Sequence, residues 1–177
     1  MFRRNWTGQV RLTRATILLM AGLGILNSCS QSKTESADSL GWNKKIAQTV
    51  IHAEAVSLGQ LLKNITNKTE QIELIRMAID SVRFYEDHSG YFYVYQYDCV
   101  NVAHATQKDL PGKNLYNHQD THDKFVIREL SAAAANGGGF VEFYWLKPGT
   151  TGEKQKMGYV EPIPGTDYFI GTGVYLE

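Results

Sequence analysis

Cysteine is nearly absent from this 177-residue chain, which holds only Cys29 and Cys99. If Cys29 is modified or removed, the folded part keeps one cysteine, so an internal disulfide framework is excluded. Cys99 then reads as a buried thiol, since free cysteine packs as a small hydrophobe. Net charge is absent too: Lys+Arg and Asp+Glu each number 18. Four of the arginines, Arg3, Arg4, Arg11 and Arg14, sit in the first 14 residues, so the rest of the chain is mildly acidic. A nucleic-acid partner would leave a basic footprint, and none is expected. No apolar run reaches the roughly 20 residues of a membrane-spanning helix. G-x-S-x-G, H-E-x-x-H and C-x-x-C are missing, as are repeats and heptads. Neither an enzyme nor a cofactor is expected.

What is present begins with a basic start followed by the uncharged run Ala15 to Leu26. With small residues after it, this is the pattern of a secretory signal. Leu26-Asn27-Ser28-Cys29 resembles the lipobox of bacterial lipoproteins, with Asn27 a departure from the usual choice there. The resemblance implies a signal peptide over residues 1–28 and acylation of Cys29. Outer-membrane placement is favoured because Ser30 stands where an aspartate would favour the inner membrane. A plain signal peptide and an uncleaved anchor are the other readings of the same run. Residues 30–39 are small and polar and read as a flexible tether. Residues 40–177 are then one domain.

Within that domain the periodicity is helical first. Ile46, Val50, Ala53, Leu58, Leu61, Leu62 and Ile65 recur at spacings of three and four, which predicts a helix over 40–64. Asn67 or Thr69 caps a second helix whose apolar content runs to Phe84. At Gly90 the period becomes two: Tyr91 to Tyr97 is a strand, Asp98-Cys99 a turn, and Val100 to Ala105 its partner. Asp120 to Asn136 predicts a third helix, with Asp120 and Asp123 at its start and Gly137-Gly138-Gly139 as its stop. Strands follow at Phe140–Leu146, Met157–Ile163 and Tyr168–Tyr175. The expected fold class is α+β: a five-stranded antiparallel sheet in two layers, with long N-terminal helices.

A series of motifs runs in one order from residue 83 to the end. Arg83-Phe84 precedes Gly90-Tyr91-Phe92-Tyr93-Val94. His104 and Leu110-Pro111-Gly112-Lys113-Asn114-Leu115 follow, then Gly138-Gly139-Phe140-Val141, Tyr144-Trp145 with Lys147-Pro148-Gly149, and Gly171-Thr172-Gly173-Val174-Tyr175. The series resembles the single Cache domain of the second type, a PAS-like extracytoplasmic sensor. Cys99 replaces that family's turn glycine, Ala105 its proline after the histidine, and Asp123 its glycine before Lys124. The resemblance implies a sensor of small molecules, commonly short organic acids. No output domain follows residue 177, so the expected partner is a membrane kinase or chemoreceptor. A capture protein serving a transporter and a structural envelope lipoprotein are the alternatives.

Candidate ligand residues follow from side-chain chemistry. Tyr91, Tyr93, Tyr95 and Tyr97 alternate on one sheet face, and Tyr93 and Tyr95 are central. His104, Arg83 and Lys113 are the candidate cations or donors for an anion. Tyr144, on the face opposite Trp145, and Tyr159 are candidate walls. His118 and His122 have a metal-like spacing but precede the predicted helix, so metal binding is not expected.

The anchor gives the first prediction. Cys29→Ser leaves the protein in a soluble fraction or as an unprocessed precursor. Fractionation and electrophoretic mobility identical to the wild type would refute lipidation.

Overall fold

The computed structural model describes residues 24–176, and side chains from residue 39 onward. Cys29 and the signal segment therefore lie outside the described side chains. The chain divides into two compact units, and the one spanning Asp38–Glu177 carries the site. Helix α1 is Gly24–Leu62 and includes residues 30–39, the segment read as a tether. Among the described residues no helix is long and apolar enough to cross a membrane.

Helix α2, Lys68–Ile79, begins where Asn67 Oδ1 accepts the backbone N–H groups of Thr69 and Glu70. It ends at Ile79, so Val82, Arg83 and Phe84 lie beyond it in a short connection. Strands β1 (Tyr93–Gln96) and β2 (Asn101–His104) form the hairpin around Asp98-Cys99. Strands β3 (Gly139–Leu146), β4 (Glu153–Pro162) and β5 (Tyr168–Tyr175) complete an antiparallel sheet of order β2-β1-β5-β4-β3.

Helix α3 is Val126–Ala135 and starts later than the sequence predicts. Asp120 does not cap it. Its carboxylate accepts backbone N–H groups from His122, Lys124 and Tyr144, which ties the preceding loop to β3. Three backbone donors satisfy a carboxylate more fully than a helix cap, and they hold it below the usual range. The glycine stop is as predicted: Gly137 and Gly138 have positive φ and their N–H groups return to Ala134 and Ala133 carbonyls.

The sheet is covered on both faces, not on one. Ile51, Leu58, Ile75 and Ile79 of α1 and α2 pack on Phe92, Val94 and Ile170. Val126, Ile127, Leu130 and Ala134 of α3 pack on Tyr91, Tyr93, Tyr95 and Phe169. Alternation puts those two sets of sheet residues on opposite faces. The tyrosine face is as buried as the other, so it needs a cover of its own. A bulge in β2 makes this consistent: Tyr93 faces His104 and Tyr95 faces Asn101, with Val102 as the extra residue. His104 and Asn101 thereby share the tyrosine face although they are three apart.

Cys99 and Asp123, which replace glycines of the resembled family, have φ of 70° and 61°. The turn demands the left-handed region whatever residue stands there. Cys99 is only 2% exposed and its thiol is pushed up, burial being the main cause. It should react slowly with a thiol reagent in the native protein and quickly in denaturant; fast native labelling would contradict the packing.

The inner faces of β4 and β5 carry Gly158, Gly171 and Gly173. A Cβ at Gly171 would lie 2.3 Å from the Tyr93 ring, and one at Gly173 2.7 Å from Lys156 Cε. The ring is rigid and its hydroxyl is held at Thr172, so it has little room to yield. Gly171→Ala should destabilise the fold by about 1–3 kcal/mol, the usual cost of overpacking. Chemical denaturation measures it, and a midpoint equal to wild type would contradict the close approach.

Candidate functional site

The tyrosine face and α3 enclose a cavity lined by Tyr93, Tyr95, His104, Val126, Ile127, Leu130, Phe143, Trp145 and Lys156. Its volume is about 10 Å³, roughly the room of one water molecule. Aliphatic side chains from α3 form one wall. Tyr93 and Tyr95 of β1, His104 of β2, Phe143 and Trp145 of β3 and Lys156 of β4 form the other.

Lys156 is the decisive residue. It occupies an inward position of β4, opposite Tyr175 on β5 and Phe143 on β3. The side chain is 1% exposed, and Nζ lies 4.0 Å from the Tyr91 ring centre, 4.7 Å from that of Tyr175 and 5.6 Å from that of Tyr93. Among the described residues no carboxylate lies within ion-pair distance of it. Burial pushes its ammonium well below the ordinary lysine value, because an unpaired charge loses its water there. Tyrosine faces attract a cation, by roughly 0.5–2 kcal/mol each, which is less than the several kcal/mol of desolvation.

His104 is buried and fixed by Gln107. The Gln107 backbone N–H donates to His104 Nδ1 at 3.0 Å, so the neutral ring carries its proton on Nε2 as a donor. Gln107 Oε1 accepts from Trp145 Nε1 at 2.6 Å, and the Trp145 ring stacks toward His104. Burial first, and the nearby Lys156 second, lower His104 to about 3. The imidazole is therefore neutral at physiological pH.

The tyrosine hydroxyls divide into used and unused. Tyr175 donates to the Leu146 carbonyl, so Tyr91 donates to Tyr175 at 3.2 Å. Tyr93 donates to the Thr172 carbonyl at 3.2 Å. The Tyr95 hydroxyl and Asn101 Oδ1, on the strand opposite, are buried without a well-formed hydrogen bond; the Asn101 side chain lies near enough to the hydroxyl to offset part of the upward push of burial on it. A buried unsatisfied hydroxyl costs about 1–3 kcal/mol. Tyr95 is thus the donor left available at the cavity.

Of the residues named from the sequence, Tyr93, Tyr95 and His104 meet at the cavity. Arg83 does not line it: its guanidinium donates to the carbonyls of Asp80, Val82 and Ala105. Lys113 is exposed and pairs with Asp109 at 3.0 Å. Tyr144 faces away and stacks on His122 at 3.9 Å, while its neighbour Trp145 faces the cavity. Tyr159 is on the face covered by α1 and α2 and donates to Glu161. His118 approaches Trp145 rather than His122. Sequence reasoning missed Lys156 because the predicted strand began at Met157. Lys156, Gly158 and Val160 alternate on one face of β4, and that phase was the available signal.

A family model described as Cache domain matches residues 25–177, and so also covers the segment from 25 to 39. The sensor histidine kinase MctS of Rhizobium johnstonii is 39% identical over 88 residues, 50% of this chain and 19% of the kinase. The methyl-accepting chemotaxis protein McpP of Pseudomonas putida is 22% identical over 180 residues, 99% of this chain and 31% of the chemoreceptor. This chain thus spans a third or less of the length of either relative. Among solved structures, a methyl-accepting chemotaxis protein from Vibrio parahaemolyticus superposes with a TM-score of 0.70 at 28% identity, covering 81% of this chain and 95% of that one. A Cache chemosensory domain described as recognising carboxylic acids shares the fold at a TM-score of 0.58 and 19% identity, covering 89% of this chain and 100% of that one. With the match extending over most of its length and the five-stranded sheet in common, the chain belongs to the Cache domain family, in its type-2 class of sensor domains.

Proposed function

We propose that this domain binds a short monocarboxylate between the tyrosine face of the sheet and α3, and that binding is its sensing event. The observation that carries the reading is Lys156, a buried lysine facing aromatic rings with no carboxylate near it among the described residues. Such a residue is costly to the free protein. A carboxylate entering the cavity would supply the missing charge through a bond of the charge-assisted kind. His104 Nε2 and the Tyr95 hydroxyl are further donors. Val126, Ile127 and Leu130 suit a short alkyl tail. A Cache domain of like fold is described as recognising carboxylic acids, which agrees with this chemistry.

Size supports a small ligand. The cavity holds about 10 Å³, so any acid must displace side chains to enter. A ligand of about six heavy atoms reaches at most ~1.5 kcal/mol per atom. Micromolar binding, at about 8 kcal/mol, therefore uses nearly every contact.

We place the domain outside the cytoplasm, held there by lipid on Cys29, with a membrane kinase or chemoreceptor as the recipient of the signal. The curated relatives, a sensor kinase and a chemoreceptor, support the recipient class. The family match from residue 25 favours a second reading of the N-terminus, in which that segment is retained as an uncleaved anchor.

Calorimetric titration with acetate, propionate and propionamide tests the site. The acid should bind in the micromolar range and the amide about 100-fold more weakly or not at all. Lys156→Met should abolish binding yet fold at least as stably, since it removes an unpaired buried amine at similar volume. Tyr95→Phe should weaken binding about tenfold, the loss of one donor. Equal affinity for acid and amide, or full affinity in Lys156→Met, would overturn the anion reading.

A further inference from the structure

Whether Lys156 is charged before the ligand arrives depends on what surrounds it. Tyr91 just before β1 and Tyr93 and Tyr95 within it lie on this face, β5 presents Tyr175, and His104 comes from β2. The β3 partner Phe143 is not ionisable, and α3 contributes aliphatic side chains. Beyond these stand Arg83, bonded to the Ala105 carbonyl, and Lys147, which lies 5.8 Å from the Tyr175 ring centre and pairs with Asp87 at 3.1 Å. No described residue offers Nζ an anion. Near neutral pH every titratable group facing the amine is therefore uncharged: the tyrosines keep their protons and His104 is a neutral imidazole.

We propose that Lys156 takes up one proton with each carboxylate bound, so that the domain responds to the acid as a pair, anion plus proton. This rests on the carboxylate reading of the cavity. In the free protein the amine lies neutral against the tyrosine rings. When a carboxylate enters, a proton moves from solvent to Nζ and an ammonium–carboxylate pair forms. One N–H bond forms at Nζ and the hydronium or buffer acid that gives the proton loses its own bond to hydrogen; no other covalent bond changes, and the site keeps no net charge. Charge neutrality is the physical reason for the coupling: bringing in the anion alone, or the proton alone, would leave one unpaired buried charge.

The neighbouring groups leave the signal uncluttered. His104 is lowered to about 3 and Tyr91 is raised to about 12. Tyr93 and Tyr175 are raised further by burial. None of them titrates near neutrality, and a short carboxylic acid is fully ionised there. The linkage sign is definite. Lys156 binds more protons in the complex than in the free protein, so affinity falls as pH rises between its free and bound values, by up to tenfold per unit.

The test is titration calorimetry of the purified chain with acetate, propionate, lactate and pyruvate from about pH 7 to about pH 9. Each is measured in two buffers of different ionisation enthalpy. The expected result is a buffer-dependent heat equivalent to uptake of up to one proton per bound acid, with an apparent dissociation constant that rises with pH. His104→Gln should bind more weakly and still take up the proton. Binding with buffer-independent heat and a flat pH profile would overturn the coupling while leaving the carboxylate site intact. Loss of uptake in His104→Gln with binding retained would assign the proton to the histidine and overturn it as well. If none of the four acids binds, both the coupling and the site reading fall.

Discussion

A lysine buried without a counter-charge organises this side of the domain. Lys156 is almost fully enclosed, yet its partners are ring faces rather than carboxylates. Proteins seldom bury an ammonium unless it is paired. The arrangement persists because much else is built to allow it. Gly173 leaves space for the lysine stem, Gly171 for the Tyr93 ring, and Gly158 for Phe143. With side chains at those three positions the face would be filled, and neither the lysine nor the tyrosine could lie against the sheet. The glycines thus create a hollow on a surface that is otherwise tightly packed.

That hollow is polar at one end and apolar at the other, and the division follows from the strands. Tyr93 of β1 reaches across to the Thr172 carbonyl of β5, and Tyr91 just before β1 reaches Tyr175, so both hydroxyls are used up inside the protein. Strand β2 is the sheet edge and brings His104, held by the loop that follows it. Gln107 orients two rings at once, accepting from Trp145 through its side chain and donating to His104 through its backbone. The result is a neutral imidazole beside a suppressed ammonium, both set by burial, with Lys156 a second cause at the imidazole. The groups with bonding capacity to spare, Tyr95 among them, surround the place where an anion would complete the set.

The sequence made the fold legible where pattern and chemistry agreed. Alternating tyrosines from residue 91, the Asn67 cap and the glycine stop after α3 all appear as expected. Asp120 misled because an acid before an apolar run reads equally well as a cap or as a loop clamp, and three backbone donors made it the clamp. The site was legible only in part. Tyr93, Tyr95 and His104 are strand residues whose face follows from parity, bulge apart. Arg83, Lys113, Tyr144 and Tyr159 were chosen for chemistry, and chemistry alone does not say which way a side chain points. Lys156 was hidden by its surroundings: Glu153-Lys154-Gln155-Lys156 reads as solvated loop, and only pairing with β3 and β5 shows that it is strand.

Arg83 has a place in this scheme although it is not at the cavity. It stands just past α2, and its guanidinium grips Asp80 and Val82 carbonyls on the helix side and the Ala105 carbonyl on the other. Ala105 directly follows His104 and lies two residues before Gln107. Lys108, one residue further on, pairs with Asp80 at the end of the helix. The segment that orients the cavity's histidine is therefore fastened at two points to the end of α2, which itself packs with α1 on the opposite face of the sheet. One guanidinium bonded to carbonyls of both segments ties the start of the His104–Gln107 turn to the end of α2. The same hydrogen bonds that hold Arg83 away from the cavity fasten the segment after His104 to the helical layer.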